Sequence, residues 1–464
     1  MLDKTLIEKV LREALTTNAD FAEVFIEDKF QTDATLLSSK IQGVNNSKEF
    51  GIGVRVGKGY QSVYGYTNSP LEKDLLKLAA DLAQSFPGEP VGIEFSLEDM
   101  KTGNLHPVKI LPSEVSVEDK VNLLRRADKA ARKYSDEINQ VQSRYQDYVQ
   151  KVWIANSEGT YVHDTRVRTR LAIAAIAAKE DSKQTGFFGP GGHYGFEFYS
   201  EKINVEDAAK EASRIAVAML HADECPSGKM PVVIDNEFGG VIFHEACGHS
   251  LEATSVAKGA SVFSGKKGEL IANPLVSAVD DGTIPNAWGS ATYDDEGNLQ
   301  KKRQLIKDGV LTSYMIDKLN AIRMNDEPTN SGRRQSYRFA PTSRMTNTYI
   351  DNGESTFDEI IEATKFGLYA KKMGGGSVNP VTGDFNFSVS EGYMIRDGKI
   401  AEAVKGATLV GTGADALLKV DMVGNNLATA QGMCGSQSGS IPTDVGQPTI
   451  RVSEITVGGR GGTI

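Results

Sequence analysis

Apolar residues recur at helical spacing from about Leu6 to Leu15, then switch to every second position, with Ala22, Val24 and Ile26 on one face and Glu23 and Glu27 on the other. The change of period predicts an amphipathic helix followed by a half-buried strand whose glutamates face outward. Two further β-rich runs, Ile52-Val54-Val56 and Gln61 to Tyr66, are joined through Gly57-Lys58-Gly59 and predict a hairpin. Ser69 as N-cap, Pro70 at the first helical position and Glu72 as capping-box partner predict a helix. Its stripe is Leu71, Leu75, Leu78 and Leu82, and it stops at Pro87.

A loop-like stretch, Pro87 to Pro112, precedes a helix lined by Val117, Val121, Leu124 and Ala131. Residues 138–180 alternate and then run apolar, which reads as strands. Gly186 to Gly195 reads as a loop and Val205 to Leu220 as a helix. Proline and glycine in the segment Asp223 to Gly228 break that helix just before the apolar run Val232 to Ile234, so the main boundary is expected there. It gives domains 1–226 and 227–464, with a possible sub-boundary near 87–115.

Beyond Met230 lie 31 of the 47 glycines, spaced between runs such as GVLTSYMI, RMTNTYID, DFNFSVSEGYMI, IAEAVKGATLVG and TIRVSEITVG. The expected fold class is α+β: an N-terminal α/β-mixed domain followed by a mostly β C-terminal domain carrying a helix over Glu237 to Glu252. The tail Gly458 to Gly462 reads as a mobile end.

Composition narrows the function classes. With 464 residues, 40% apolar and 24% charged, the chain has the make-up of a globular protein. A net charge of −10 and the lack of a basic run argue against nucleic acid as a partner. The longest apolar run, Leu171 to Ala178, is far short of the ~20 residues of a membrane span, so no membrane is expected. The N-terminus mixes both charge signs and lacks a signal-peptide pattern, which points to the cytoplasm. Three cysteines, Cys225, Cys247 and Cys434, are too few for a disulfide framework and are left to burial, metal binding or catalysis.

One constellation stands out. His244-Glu245-Ala246-Cys247-Gly248-His249 holds two of the six histidines, with a glutamate directly after the first. Zinc-peptidase helices space such histidines four apart, about 40° from each other on one face. Here they are five apart, about 140° on an undistorted helix, so a shared metal requires the helix to end, unwind or bulge between them. Gly248 tolerates such a break. Imidazoles suit Zn²⁺, and Glu245 is placed to act as general base and then acid. The bland alternative is a buried helix whose histidines satisfy nearby carbonyls. A third ligand must come from elsewhere, and the residues alone leave Cys434, Cys247, Glu252, His221 and His193 as candidates.

Other motifs carry little. There is no G-x-x-x-x-G-K-[ST]. Gly51-x-Gly53-x-x-x-Gly57 and Gly374-Gly375-Gly376 read as turns, and Gly435-Ser436-Gln437-Ser438-Gly439 has no serine at its centre. Arg344, Asn347, Tyr393 and His193 are of types that stabilise an oxyanion or pin a peptide, and equally of types that serve structure.

HEACGH, DDGTIPNAWGS (280–290), DDEG (294–297), GRR (332–334), RMTNT (344–348), NPVTGDF (379–385), SEGYMI (390–395), MCG (433–435) and VGQPTIRV (445–452) together closely resemble the TldD/PmbA family of zinc peptidases. The resemblance covers the second half; the first half has no sharp motif. It implies the metal-bearing TldD type, with one Zn²⁺ per active chain held by His244, His249 and Cys434, and Glu245 as the catalytic glutamate. It also implies a homodimer, or a heterodimer with a paralogous metal-less subunit, enclosing a cavity for unfolded peptide. The family's gyrase-modulator label implies a gyrase partner, which the acidic charge does not support. The rival reading is a non-catalytic, metal-stabilised adaptor.

Overall fold

Strands drawn from the first 192 residues form one eight-stranded sheet. The computed structural model describes residues 2–100, 102–103, 105–379 and 381–464. The sheet runs in the order Gln61–Thr67, Lys40–Lys58, Phe21–Leu37, Ile138–Asn156, Thr160–Lys179 and Glu98–Asp99, with Ser182–Phe188 and Gly191–Gly192 also pairing to Thr160–Lys179. Four amphipathic helices, Lys4–Ala14, Glu72–Ala83, Val117–Tyr134 and Val205–Leu220, lie against the face that carries Val24, Ile26, Ala34 and Leu36.

The opposite face of Phe21–Leu37 is covered from Glu23 to Glu27, where the alternation predicted an outward face, and reaches solvent only further along, at Gln31. Glu23 and Glu27 are buried, and Phe25 joins Val152, Ile154 and Val162 against Tyr293 and Tyr337 of the second half. Glu23 pairs with Arg55 at 2.6 Å and with Arg334 at 2.5 Å. Glu27 accepts from Gln150 Nε2 at 2.8 Å and from the Tyr337 N–H at 2.9 Å. Period-2 alternation shows which residues share a face but not what covers the polar one.

From Asp223 onward an eight-stranded and a six-stranded sheet take over. In one, the strands Phe366–Val378, Gly228–Ile234, Ile450–Gly458, Thr408–Thr412 and Asp384–Arg396 follow one another, and the last pairs back to the first, closing a five-stranded ring. The other runs Val310–Leu311, Lys302–Lys307, Ala278–Asp281, Asn347–Ile350, Gly439–Gln447 and Ala428–Ser436. A helical segment, Glu237 to Leu251, leaves the ring after Ile234 and packs between the two sheets. The backbone of Gly446 occupies the place a Cβ on Gly240 would need, so the segment starts flush against that strand. The mixture of helices and dominant strands is α+β.

Several local expectations are corrected. The second helix begins at Glu72 with Leu71 as N-cap and no side-chain cap, because Ser69 Oγ turns to Asp74 Oδ2 at 2.5 Å, and it ends at Ala83. Gly51 and Gly53 sit inside a strand, where the missing Cβ atoms admit Tyr337 and Tyr64. Gly374 to Gly376 likewise belong to a bulged strand, and Gly186 to the Ser182–Phe188 strand. Of GVLTSYMI, only Val310–Leu311 is strand. The C-terminal tail is tied down, with Gly461 N–H donating to the Cys225 carbonyl at 2.9 Å and Ile464 N–H to that of Ser227 at 3.1 Å. Pro380 of NPVTGDF lies outside the described residues, as do Lys101 and Asn104 of the 87–112 stretch.

Candidate metal centre

The five-residue spacing of the histidines demands a turn wider than an α-helix. His244–Gly248 is such a turn, a π-helical one closed by the His249 N–H donating to the His244 carbonyl, with an α turn, Val241–Phe243, before it and a 3₁₀ turn, His249–Leu251, after it. In a π turn residues i and i+5 follow one another around the axis, so both imidazoles reach the same side. Their ring centroids are 5.2 Å apart and nearly perpendicular. Gly248 contributes in a way the spacing did not suggest. Its backbone is ordinary right-handed helix, φ −56° and ψ −51°, but a Cβ there would overlap the sulfur of buried Met345. The glycine serves close approach, not conformational freedom.

Cys434 arrives from the other sheet. It lies within the strand Ala428–Ser436, opposite Ile441, not in a turn as its glycine neighbours suggested; the turn follows at Gln437 and Ser438. Ligand atoms of His244, His249 and Cys434 lie within 4.8 Å of one another, a group able to hold a metal ion. Cys434 Sγ is 3.3 Å from His249 Nε2. Burial alone would raise the Cys434 thiol, yet the two imidazoles hold it well below the ordinary thiol range. Burial also opposes charge on His249, yet Glu252 and Cys434 keep it well above the ordinary imidazole range. A tightly held proton in such a cluster is what a divalent cation displaces. His244 Nδ1 is buried with no hydrogen-bond partner. Two imidazoles and an acidified thiol are a donor set that suits zinc.

Of the remaining third-ligand candidates, Glu252 stands behind the cluster, its Oε2 3.2 Å from His249 Nδ1, the carboxylate–histidine arrangement that orients a metal-binding imidazole. Arg344, fully buried, donates to the Cys434 carbonyl, to Ser438 Oγ at 2.9 Å and to the Gly439 carbonyl at 2.9 Å, and its Nε is 3.7 Å from Glu252 Oε1. It thereby ties the strand of Cys434 to the partner of His249. Glu252 follows His249 by three residues, a spacing that places neighbours on one helical face and was legible; the role of Arg344 had no signal short of the fold. Glu245 holds the open side, its side chain 30% exposed and its Oε2 3.7 Å from His249 Nε2.

The other candidates lie apart. Cys247 faces an apolar cavity of about 20 Å³ lined by Ile242, Phe243, Ile350 and Leu417, and burial raises its thiol. His221 pairs with Glu137 at 2.8 Å, near the surface. His193 is buried and stacked on His106; its Nε2 accepts from the Val167 N–H at 3.2 Å while Nδ1 lies 3.2 Å from the Ser290 carbonyl. Asn347 bridges the Gly289 N–H, at 3.0 Å, to Ser290 Oγ, at 2.8 Å, and Tyr393 donates to Glu391 at 2.7 Å. Asp280 accepts from Arg303, Thr346 and Thr348, so much of the DDGT and RMTNT sequence braces the sheet under the site.

Three domain profiles match in succession: the PmbA/TldA metallopeptidase domain 1 over residues 22–85, the central domain over 110–220 and the C-terminal domain over 227–459. The chain belongs to the PmbA/TldD metallopeptidase family. The metalloprotease TldD homolog of Haemophilus influenzae is 37% identical over 454 residues, 95% of this chain and 93% of that protein. A metalloprotease of Methanothermobacter thermautotrophicus is 31% identical over 99% of both chains. Among solved structures, TldE of Thermococcus kodakarensis shares the fold with a TM-score of 0.78 at 17% identity, covering 97% of this chain and 99% of its own. A Thermotoga maritima protein, described provisionally as a modulator of a DNA gyrase, has a TM-score of 0.81 at 22% identity, covering 98% and 100%. Among the described residues no helix is long and apolar enough to cross a membrane.

Proposed function

We propose that this chain is a zinc-dependent peptidase acting on unfolded peptides, with His244, His249 and Cys434 holding one Zn²⁺ and Glu245 as its general base and acid. The observation that supports it most is the convergence of three donors within 4.8 Å across a π turn and a strand of a different sheet. Zinc bound there supplies Lewis acidity toward a peptide carbonyl and makes water acidic enough to ionise near neutral pH. Glu245 takes the proton from the attacking water and returns it to the leaving amine. Glu252 fixes the His249 ring, and Arg344 holds the backbone of Cys434 in register with it.

An extended substrate has a candidate place to pair. Beyond Ala370, which ends the pairing with Gly228–Ile234, the outer edge of the Phe366–Val378 strand has no strand partner among the described residues, and this strand packs against the π turn. Backbone pairing of that kind gives loose side-chain specificity and favours unfolded substrates. Membership of the PmbA/TldD family fits a dimer, either of two copies or with a metal-less paralogous subunit. Three free cysteines fit a reducing compartment such as the cytoplasm.

The test is to incubate the zinc-loaded protein, alone and with any paralogue, with a pool of unfolded peptides and a stably folded domain, recording native mass in parallel. The reading predicts hydrolysis of the peptides only, by a dimer, abolished by a chelator and restored by zinc. Zinc bound at full stoichiometry with no hydrolysis under any pairing would leave the metal a structural role.

A further inference from the structure

Two motifs, DDEG and GRR, do not reach the metal centre. They line a cavity of about 210 Å³ on the flank of the Cys434 hairpin, where the large sheet of the first half meets the second half. Its walls include five cations. Two are neutralised: Arg166 by Asp164 at 3.2 Å and Asp295 at 2.6 Å, and Arg334 by Glu23 at 2.5 Å.

The other three, Arg168, Arg333 and Lys29, form no ion pair among the described residues. Arg168 is buried and donates only to neutral oxygens, the carbonyls of Trp288 and Ser290, each at 2.6 Å, and Tyr148 Oη at 3.0 Å. Arg333 donates only to the carbonyls of Met345 and, at 2.9 Å, Pro442. Lys29 Nζ stands 4.6 Å over the Tyr148 ring. Asp294, the remaining carboxylate in the wall, is pushed up to about 6 by burial and accepts from Asn298 Nδ2 at 3.2 Å, with no ion pair to these cations among the described residues. Asp444 acts on Arg168 only through space and is itself raised to about 7 by burial. Burial first, then the like charges of Arg168, Arg166 and Arg344, opposed by Asp295, lowers Arg333 to about 10. Buried cations are ordinarily paired, and uncompensated ones are costly. A polar cavity walled by two of them, Arg168 and Arg333, with the half-buried Lys29, which acts on Glu27 only through space, beside them, has the charge and the guanidinium donors to receive an oxyanion.

We infer that this cavity is an anion site, taking a phosphate-sized oxyanion or a terminal carboxylate against Lys29, Arg168 and Arg333. Its floor and the metal centre share structure: Arg333 holds the carbonyl of Met345, whose side chain lies against Gly248 of the π turn, and Met433, at the cavity wall, precedes Cys434. An anion drawn to Arg333 therefore bears on the hairpin that carries Cys434.

The experiment is calorimetric titration of the zinc-loaded full-length protein with inorganic phosphate at constant ionic strength, set with chloride. Lys29→Gln, a half-buried change over a tyrosine ring, keeps the fold; Arg333→Gln is run beside it with its circular dichroism checked. Saturable binding at one site per chain, weakened about tenfold or more by Lys29→Gln, is expected from loss of a charge-assisted contact. A second arm adds an acetylated dipeptide as free acid or as amide. Displacement of phosphate by the acid alone assigns the site to a peptide C-terminus, and displacement by neither assigns it to a free oxyanion. No saturable phosphate binding, or binding unchanged in Lys29→Gln, overturns the inference.

Discussion

His249 Nδ1 and Glu252 Oε2 lie 3.2 Å apart, while the other nitrogen of the same ring faces Cys434 Sγ at 3.3 Å. One imidazole thus has its two nitrogens committed to different tasks, and Glu252 sets its tautomer. Glu252→Gln keeps the shape but removes the anion behind the ring. Zinc affinity should fall by about 10- to 100-fold, as when outer-shell carboxylates are removed elsewhere. Competition against a chromophoric chelator measures this, and an unchanged affinity would remove Glu252 from the account.

The cysteines separate by environment. Cys434 sits between two imidazoles, whereas Cys247 is sealed in the apolar core with its thiol pushed upward. Cys434→Ala should therefore lose most bound zinc and activity together. Cys247→Ala should keep both and give up only a modest amount of thermal stability through a small cavity. Metal analysis of the purified variants decides it, and zinc lost from Cys247→Ala but kept by Cys434→Ala would reverse the assignment.

Asp444 supplies a pH dependence. Its carboxylate accepts from the Trp288 N–H at 2.9 Å, but burial raises its pKa to about 7. An unfolded aspartate ionises near ~3.9, so between that value and 7 the native chain holds a proton the unfolded chain lacks. This contribution to stability is fully present below the unfolded value and is lost as the pH rises through 7. Asp444→Asn, which never carries the charge, should gain on the wild type from pH 5 to pH 8 in thermal melts at fixed metal loading. A difference that stays constant across that range contradicts the buried-carboxylate origin.

How far the sequence reached depends on the range of the interaction. The HEACGH spacing carried its own geometric demand for a distorted helix, and the distortion falls between the two histidines because that constraint is local. The sheet-forming runs were legible from alternation, and α+β followed from them. Long-range facts were not. Glu23 and Glu27 look like a solvent face until the second half covers them with Arg334 and Tyr337, more than 300 residues away in the chain. Cys434 was separated from Cys247 as a candidate by family resemblance, since nothing local tells a strand cysteine that meets two histidines 185 and 190 residues earlier from one buried in a core. Arg344, which joins the Cys434 carbonyl to Glu252, has partners on three segments and no motif of its own.

The central claim is that Glu245 moves protons while His244, His249 and Cys434 hold the metal, and a single preparation of Glu245→Gln tests it. Zinc content and hydrolysis of an unfolded peptide are measured on the same sample. The account predicts near-stoichiometric zinc with hydrolysis reduced by roughly 10²-fold or more, the scale of a lost general base. Full hydrolysis by a zinc-loaded Glu245→Gln would contradict it.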